Sequence, residues 1–483
     1  MKRVLAIDLG ASSGRAILGI YEENCFRLEE VNRFSYEPIV IGEKIHWDID
    51  LILTSIIDSI KLALKTGHVD SLAVDTWGVD YGLLDEAGQL IEPPVHYRDS
   101  RTKGMLEHVR KKITEIELFE MTGNQLMEIN TLFQLKATAL KEPEKLAKAK
   151  DLLMMPDLIN YLLTGKKKTE KSIASTSQLM EPIEKKWNMN LIERLALPTH
   201  IFTHIVDEAA TLGLTKKELG IPEIPVVHVC SHDTASAFVS ATGNDDTFFV
   251  SCGTWSLIGV ERENPVLNEK VRLYNITNES GISNSTRLLK NITGLWIIQQ
   301  LKKEFAAQGK KYSYADFEKL SRSAKGFKYF IDTEDPRFLE TGHMIKRIHD
   351  YLLETNQTIP TTDGELIRLV YENLAFKYKA TFLEIMDVVN KPIHHITMVG
   401  GGTQSKILCE MVASASGLKV TTGPIEATAL GNIGVQLLAQ NCFASVDDMR
   451  KWIVNLNDLS VYEPQDISEW NKQFQIYKTF IRR

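Results

Sequence analysis

Val4-Leu-Ala-Ile-Asp-Leu-Gly-Ala-Ser-Ser-Gly-Arg-Ala-Ile-Leu-Gly-Ile-Tyr21 is the stretch from which the fold of this chain is read. Four apolar residues, Val4 to Ile7, predict a short buried strand, with Asp8 at its carboxyl end, where α/β sheets expose their chemistry. Gly10 and Gly14 bracket Ala11, Ser12 and Ser13, so the backbone is expected to turn sharply and return as a second apolar strand. Such a turn presents N–H groups outward and, with two hydroxyls and Arg15 beside it, suits a phosphate. Asp8 suits the metal that accompanies phosphate, because Mg2+ takes carboxylate and water oxygens. An ordinary hairpin with a glycine turn has the same letters, and on this stretch alone both readings stay open.

Length and composition bound the rest. At 483 residues the chain exceeds one typical core, so two domains are expected, 1–243 and 244–483. A net charge of −7 gives no general attraction to nucleic acid. Lys166-Lys167-Lys168 reads as a solvated turn. Met1-Lys-Arg is followed by too few apolar residues for a signal peptide, and no apolar run is long enough to span a bilayer. The five cysteines, at 25, 230, 252, 409 and 442, form no C-x-x-C pair, which favours reduced thiols over a disulfide framework or a zinc site. The expectation is a cytoplasmic enzyme acting on small molecules, with no nucleic-acid, membrane or obligate protein partner.

In the first half, isoleucines at helical spacing predict a helix over 51–65, with Asp50 as N-cap. Ser71 to Leu84 begins as a buried strand that Asp75, Trp77, Gly78 and Asp80 interrupt. An apolar ring beside carboxylates and a glycine can accept a polyol; a core tryptophan beside two salt-bridged aspartates is the alternative. Asp85-Glu-Ala-Gly88 predicts a turn followed by a returning strand. Ser172-Ile-Ala-Ser-Thr-Ser177, rich in hydroxyls, is expected to be a surface connection. Pro225 to Cys230 is a buried strand ending in Ser231-His-Asp-Thr234, where a helix begins. Asp233 there either takes a proton from a substrate hydroxyl or merely caps the helix.

The second half echoes the opening. Thr247-Phe-Phe-Val-Ser-Cys-Gly-Thr-Trp-Ser-Leu-Ile-Gly-Val260 is again an apolar strand, a small polar turn and an apolar return. Two such hairpins, one per half, imply a duplicated fold with two phosphate-gripping turns facing each other. The segment around Asn291 reads as a turn, followed by a helix carrying Trp296 and Gln299. Glu365 to Val389 is a long amphipathic helix, and Ile396 to Val399 a strand entering Gly400-Gly401-Gly402. Bare backbone there lets a flat ring or a ribose approach closely, which makes it the expected adenosine site. The small-residue helix from Ile425 is expected close behind it, and Ile467 to Ile481 is expected to be a docking helix.

Together these motifs resemble the FGGY carbohydrate kinases, from Val4 to about Val446. The residues that carry the resemblance are Asp8-Leu-Gly-Ala-Ser-Ser-Gly-Arg15, Asp75-Thr-Trp-Gly-Val-Asp80, Tyr97-Arg-Asp-Ser-Arg-Thr102, Ser231-His-Asp-Thr-Ala235, Ser251-Cys-Gly-Thr-Trp-Ser256, Lys290-Asn-Ile-Thr-Gly-Leu-Trp296 and Val399-Gly-Gly-Gly402. The resemblance implies an α/β fold of duplicated ribonuclease-H-like (actin-like ATPase) domains with the active site in the interdomain cleft. It implies that Ala11, Ser12, Ser13, Gly14, Arg15 and Thr254 hold ATP phosphates, and that Gln299, Gly400, Gly401 and Gly402 hold the nucleoside. Gly78 (beside Trp77), His232, Asp233, Thr234 and Asn291 would hold a ketose, with Asp233 as base and Asp8 near Mg2+ through water. The implied reaction is ATP-dependent phosphorylation of L-rhamnulose at O1. Kinases for L-fuculose or xylulose, and actin-like ATPases coupled to a protein partner, are the alternatives. One departure is Ser280, where the family usually has glycine in a turn. Another is Cys252, where serine is common, so that alkylation there is expected to block nucleotide.

Overall fold

Strand β1 (Lys2–Leu9) runs into β2 (Ser13–Glu22), paired antiparallel with Asp8 opposite Arg15, in the computed structural model, which describes residues 1–22, 25–241, 246–456 and 459–481. Val4 to Ile7 are shielded from solvent on both faces, as a continuous apolar run requires of a central strand. Neither Gly10 nor Gly14 has positive φ. Gly14 is instead needed for close packing, since a Cβ there would lie 2.4 Å from the Phe34 ring.

The chain divides into two compact units. The first comprises Met1–Thr242, Glu261–Leu288 and Ala427–Leu456, and the second Gly243–Val260, Leu289–Glu426 and Asn457–Arg483. The boundary expected at 243/244 lies outside the described residues.

In the first unit β1 and β2 are joined by β3 (Cys25–Ser35), β4 (Ser71–Thr76), β5 (Ala210–Leu214) and β6 (Pro225–His228), in sheet order β3-β2-β1-β4-β6-β5. Strands β1, β4 and β6 are parallel neighbours, and β5 closes the sheet antiparallel. The second unit repeats this scheme with β7 (Thr247–Cys252), β8 (Trp255–Arg262), β9 (Thr286–Thr293), β10 (His395–Val399), β11 (Lys419–Thr422) and β12 (Val461–Tyr462), in the order β9-β8-β7-β10-β11-β12. Again a hairpin, β7–β8, is followed by the parallel strands β10 and β11 and an antiparallel closing strand, β12. Two sheets with one strand scheme and different letters are the signature of duplication.

Helix 49–65 buries Ile52, Ile56 and Ile60 in the first core. Its cap is Asp48 rather than Asp50: Asp48 Oδ1 accepts from Leu51 N at 3.0 Å. Helix 363–389 runs through the second unit with Ile367, Val370, Leu374 and Phe382 buried. Helix 467–477 docks on it, placing Trp470, Phe474 and Tyr477 around Phe376 at ring separations of 5.1, 6.1 and 5.2 Å. The small-residue helix, Ala427–Ala439, belongs to the first unit. It lies so close to the helix after Asp233 that a Cβ on Gly431 would sit 1.8 Å from Ser236 O.

Two expectations fail here. Ser172 to Ser177 is buried, not a surface connection, and is helical from Lys171 to Ser177. Its hydroxyls bond backbone carbonyls three residues back (Ser175 to Ser172 O, 2.7 Å; Thr176 to Ile173 O, 2.8 Å; Ser177 to Ala174 O, 2.6 Å), which removes the cost of burying them. After the turn at 85–88 there is only a single bridge, Leu84 to Leu90; strand Tyr81–Leu84 pairs instead with Asp151–Met154. Among the described residues no helix is long and apolar enough to cross a membrane.

Candidate active site

Three carboxylates stand at the carboxyl ends of neighbouring strands in the first unit. Asp8 and Asp75 are register partners in β1 and β4, and Thr76 N bonds Ser231 O at 2.9 Å, which brings the Ser231–Asp233 segment alongside. Clustering like charges at the ends of buried strands is costly unless a counter-charge or a ligand uses them. Arg15 supplies one counter-charge through its ion pair with Asp8. Asp75 is fully buried; burial first, then the charge of Asp8, pushes its carboxyl well above the usual range. Asn432 Nδ2 bonds its Oδ2 at 2.6 Å, while Oδ1 has no hydrogen-bond partner. An orphaned buried oxygen beside a second carboxylate is a set of hard oxygen donors of the kind Mg2+ takes through water. Among the described residues no three acidic, cysteine or histidine side chains converge to ligate an ion directly.

The first hairpin turn is held from below. Tyr36 Oη donates to Gly10 O, and Gly10 N bonds Ser13 O at 2.9 Å, leaving Ala11 and Ser12 exposed at the tip. Burial, then the charges of Asp8 and Asp233, keeps the Tyr36 phenol well above its ordinary value, so it remains a donor.

Asp233 is the first residue of helix 233–239, whose cap position is His232, so Asp233 is not the N-cap. Its Oδ1 accepts from Thr234 N at 2.5 Å and from Thr234 Oγ1 at 3.1 Å, and lies 3.4 Å from His232 Nε2. Oδ2 has no protein partner among the described residues, and the side chain is 30% exposed. Burial raises this carboxyl above its usual value, with His232 opposing and Asp8 reinforcing the shift. The arrangement is that of a base with one oxygen fixed and the other open.

The Trp77–Asp80 segment is anchored in the core. Trp77 is 6% exposed, packs 4.0 Å from Trp47, and donates its indole N–H to Asp80 Oδ2 at 3.0 Å. Asp80 is not salt-bridged: Trp47 Nε1 (2.7 Å) and Gln134 Nε2 (3.0 Å) also bond it, and burial pushes its carboxyl up to about 6. Between them Val79 sits at φ 68°, a strained conformation for a β-branched residue, fixed by Thr176 Oγ1 on its N–H at 3.0 Å. Gly78 faces Thr176, which a Cβ would approach to 3.1 Å.

Sequence reasoning missed the groups behind the Ser231–Asp233 segment. Buried Glu170 accepts from Ser231 N (3.0 Å), Ser231 Oγ (2.7 Å) and Ser172 Oγ (2.6 Å), and Ser172 Oγ in turn receives His232 N at 3.2 Å. Glu279 and fully buried Arg287 flank the His232 ring. The only sequence signal was two charges in otherwise shielded strands. Ser280 lies in extended strand 277–280 rather than in a turn, so a side chain is tolerated there.

In the second unit Thr254 Oγ1 donates to Gln299 Oε1 at 3.2 Å, bringing two of the expected nucleotide residues together. The β7–β8 turn is locked by Leu295 N on Gly253 O at 2.8 Å and Gly294 N on Thr254 O at 3.1 Å. Parallel pairing of Ser251 with Val399 sets Gly400–Gly402 beside this turn. Gly400 has φ 85°, and a Cβ on Gly402 would fall 2.1 Å from Cys252 Sγ, so the glycines are required by packing as well as by conformation. Cys252 is 1% exposed and its thiol is pushed up by burial, so the expected alkylation is blocked for lack of both access and thiolate. Asn291 lies within β9; the turn comes at Gly294–Leu295.

Profiles of the FGGY family of carbohydrate kinases match residues 3–240 (N-terminal domain) and 248–440 (C-terminal domain). A rhamnulokinase of Oceanobacillus iheyensis is 38% identical over 463 residues, 95% of this chain and 97% of that protein. One of Bacteroides thetaiotaomicron is 35% identical, covering 99% of each chain. A xylulose kinase of Lactobacillus acidophilus superposes with a TM-score of 0.81 at 15% identity, over 99% of this chain and 97% of that one. Plasmodium falciparum glycerol kinase with ADP gives 0.80 at 14%, over 100% and 99%. With the strand scheme and both hairpins in place, the chain belongs to the FGGY family of carbohydrate kinases.

Proposed function

We propose that this chain transfers the γ-phosphoryl group of ATP to O1 of L-rhamnulose, giving L-rhamnulose 1-phosphate and ADP. The observation that carries the chemistry is Asp233, fixed through one oxygen and open at the other, beside His232 at the end of a strand. The choice of sugar is supported by full-length relatives named rhamnulokinases. Asp233 Oδ2 takes the O1 proton as O1 attacks the phosphorus, the bond from phosphorus to the bridging oxygen of ADP breaks, and the proton leaves later to solvent. Gly78, His232, Thr234 and Asn291 orient the ketose, and Trp77 anchors the Gly78 backbone from the core. Ala11 to Gly14 offer amides and hydroxyls, and Arg15 and Thr254 their side chains, to the phosphates; Gln299 and Gly400 to Gly402 take the nucleoside. Asp8, with Asp75, would hold Mg2+ through water. Bound there, the ion would neutralise phosphate charge. We read the protein as cytoplasmic, in line with five free cysteines.

The test is product identification. Phosphorus and proton NMR of a reaction with ATP, Mg2+ and L-rhamnulose should give one ADP per phosphomonoester, with the phosphate coupled to the C1 protons. Coupling to another carbon, or ADP release without a sugar phosphate, contradicts the assignment.

A further inference from the structure

His232 is gripped on the side away from Asp233 by two groups that neither the family resemblance nor the mechanism above assigns. His232 Nδ1 lies 3.3 Å from Glu279 Oε2, and Arg287 Nη2 reaches the same oxygen at 3.1 Å. Arg287 is completely buried: its Nε bonds Ser280 O at 3.0 Å, its guanidinium lies 5.6 Å from the Phe238 ring centroid, and Nη1 has no hydrogen-bond partner. Burying an arginine needs a paired anion, and Glu279 is that anion. Burial would raise the Glu279 carboxyl, but the Arg287 charge and the His232 hydrogen bond outweigh it and hold it below its usual value. An ionised carboxylate accepts and cannot donate, so the ring nitrogen that faces it carries the proton.

The consequence falls on the other ring nitrogen. With Nδ1–H committed to Glu279, neutral His232 presents a bare Nε2 beside Asp233 Oδ1. A hydrogen bond to one ring nitrogen fixes the role of the other. We propose that Glu279, itself held by Arg287, fixes His232 as its Nδ1–H tautomer and so makes Nε2 a hydrogen-bond acceptor for a ketose hydroxyl. Glu279 and Arg287 are positioning residues: they act on the sugar through His232 and make no contact with nucleotide in this role. The inference rests on the reading of His232 as a ketose-binding residue.

The test has two independent readouts on the full chain. In nitrogen-15 histidine spectra of the wild type without ligand, with the His232 signal identified by its loss in His232→Gln, Nδ1 should be protonated; a bare Nδ1 overturns the proposal, whatever the activity. In the coupled kinase assay, Glu279→Gln should raise KM for L-rhamnulose at least tenfold while moving KM for ATP less than twofold. Because a lone buried guanidinium can unfold the variant, the charge-balanced Glu279→Gln, Arg287→Met double variant is measured beside it and should show the same split. Unchanged sugar KM in a folded variant, or sugar and ATP KM rising together, overturns the positioning role. A wild type that phosphorylates no ketose sinks the underlying function instead, and the tautomer measurement still decides the geometry.

Discussion

Asp233→Asn separates catalysis from folding. Asparagine keeps an oxygen where Asp233 Oδ1 accepts from Thr234 N at 2.5 Å and Thr234 Oγ1 at 3.1 Å, so the start of the helix is preserved. What it removes is the open carboxylate oxygen, the only part of the side chain able to take a proton. Loss of a general base costs about 10²–10⁴-fold in rate, or about 2.7–5.4 kcal/mol in the barrier. Stability should move the other way. The carboxyl is raised above its usual value by burial and by Asp8, so above the usual carboxylate range the folded state carries a charge it disfavours. Neutralising it leaves Tm at neutral pH equal to or above that of the wild type. The assay is ADP release coupled to NADH oxidation with saturating ATP and varied L-rhamnulose, with Tm measured on the same preparations. The expected result is kcat lower by at least 10²-fold, a modest change in KM and no loss of Tm. A kcat within threefold of wild type removes Asp233 from the base role, and a lowered Tm with lost activity makes it a structural residue.

Other expectations follow from single contacts. Thr254→Val deletes a hydroxyl that now bonds Gln299 and is offered to phosphate; KM for ATP should rise about 10-fold or more, a hydrogen bond to a charged group being worth about 1.5–3 kcal/mol, with sugar KM little changed. The reverse split in steady-state kinetics would reassign the second hairpin. Gly431→Ala forces a Cβ to 1.8 Å from Ser236 O, a backbone atom that cannot swing aside, and should cost about 3 kcal/mol or more in urea unfolding, whereas Gly401→Ala meets nothing within 4 Å and should cost less than about 1 kcal/mol. Buried His228 has both ring nitrogens unpartnered and is lowered by burial to about 4 from 6.5. Unfolded chains therefore bind its proton first, and stability present above pH 6.5 is lost as pH falls towards 4, about 3 kcal/mol in all. His228→Leu should move the acid limb of the Tm–pH curve to lower pH, and an unmoved limb would show that another group sets it.

What the sequence made legible was whatever apolar runs and their punctuation encode. The β1–β2 and β7–β8 hairpins, the strand into Gly400–Gly402 and helix 363–389 all announce themselves as contiguous patterns. The site was legible where chemistry sits at the end of such a run, as with Asp8, Asp75 and Asp233. Glu170 and Arg287 left no such trace, because their partners lie far away in sequence: Ser231 is 61 residues from Glu170, and His232 is 55 from Arg287. A buried charge looks like a surface charge until its partner is known. Ser172 to Ser177 misled for a related reason: a hydroxyl bonded to a carbonyl of its own helix is as buriable as a methyl, and composition does not record the bond. Trp77 shows the limit from the other side, since an indole beside two carboxylates can line a pocket or fill a core, and here its N–H is committed to Asp80.

The central claim is that the chain is a kinase for one ketose. Its most direct test is kcat/KM by coupled ADP release for L-rhamnulose, L-fuculose, D-xylulose and glycerol, with a sugar-free control, in wild type and Asp233→Asn. The account predicts L-rhamnulose ahead of every other acceptor by at least tenfold, with that activity lost in the variant. ADP release that is independent of any sugar, or faster with L-fuculose or D-xylulose, would contradict it.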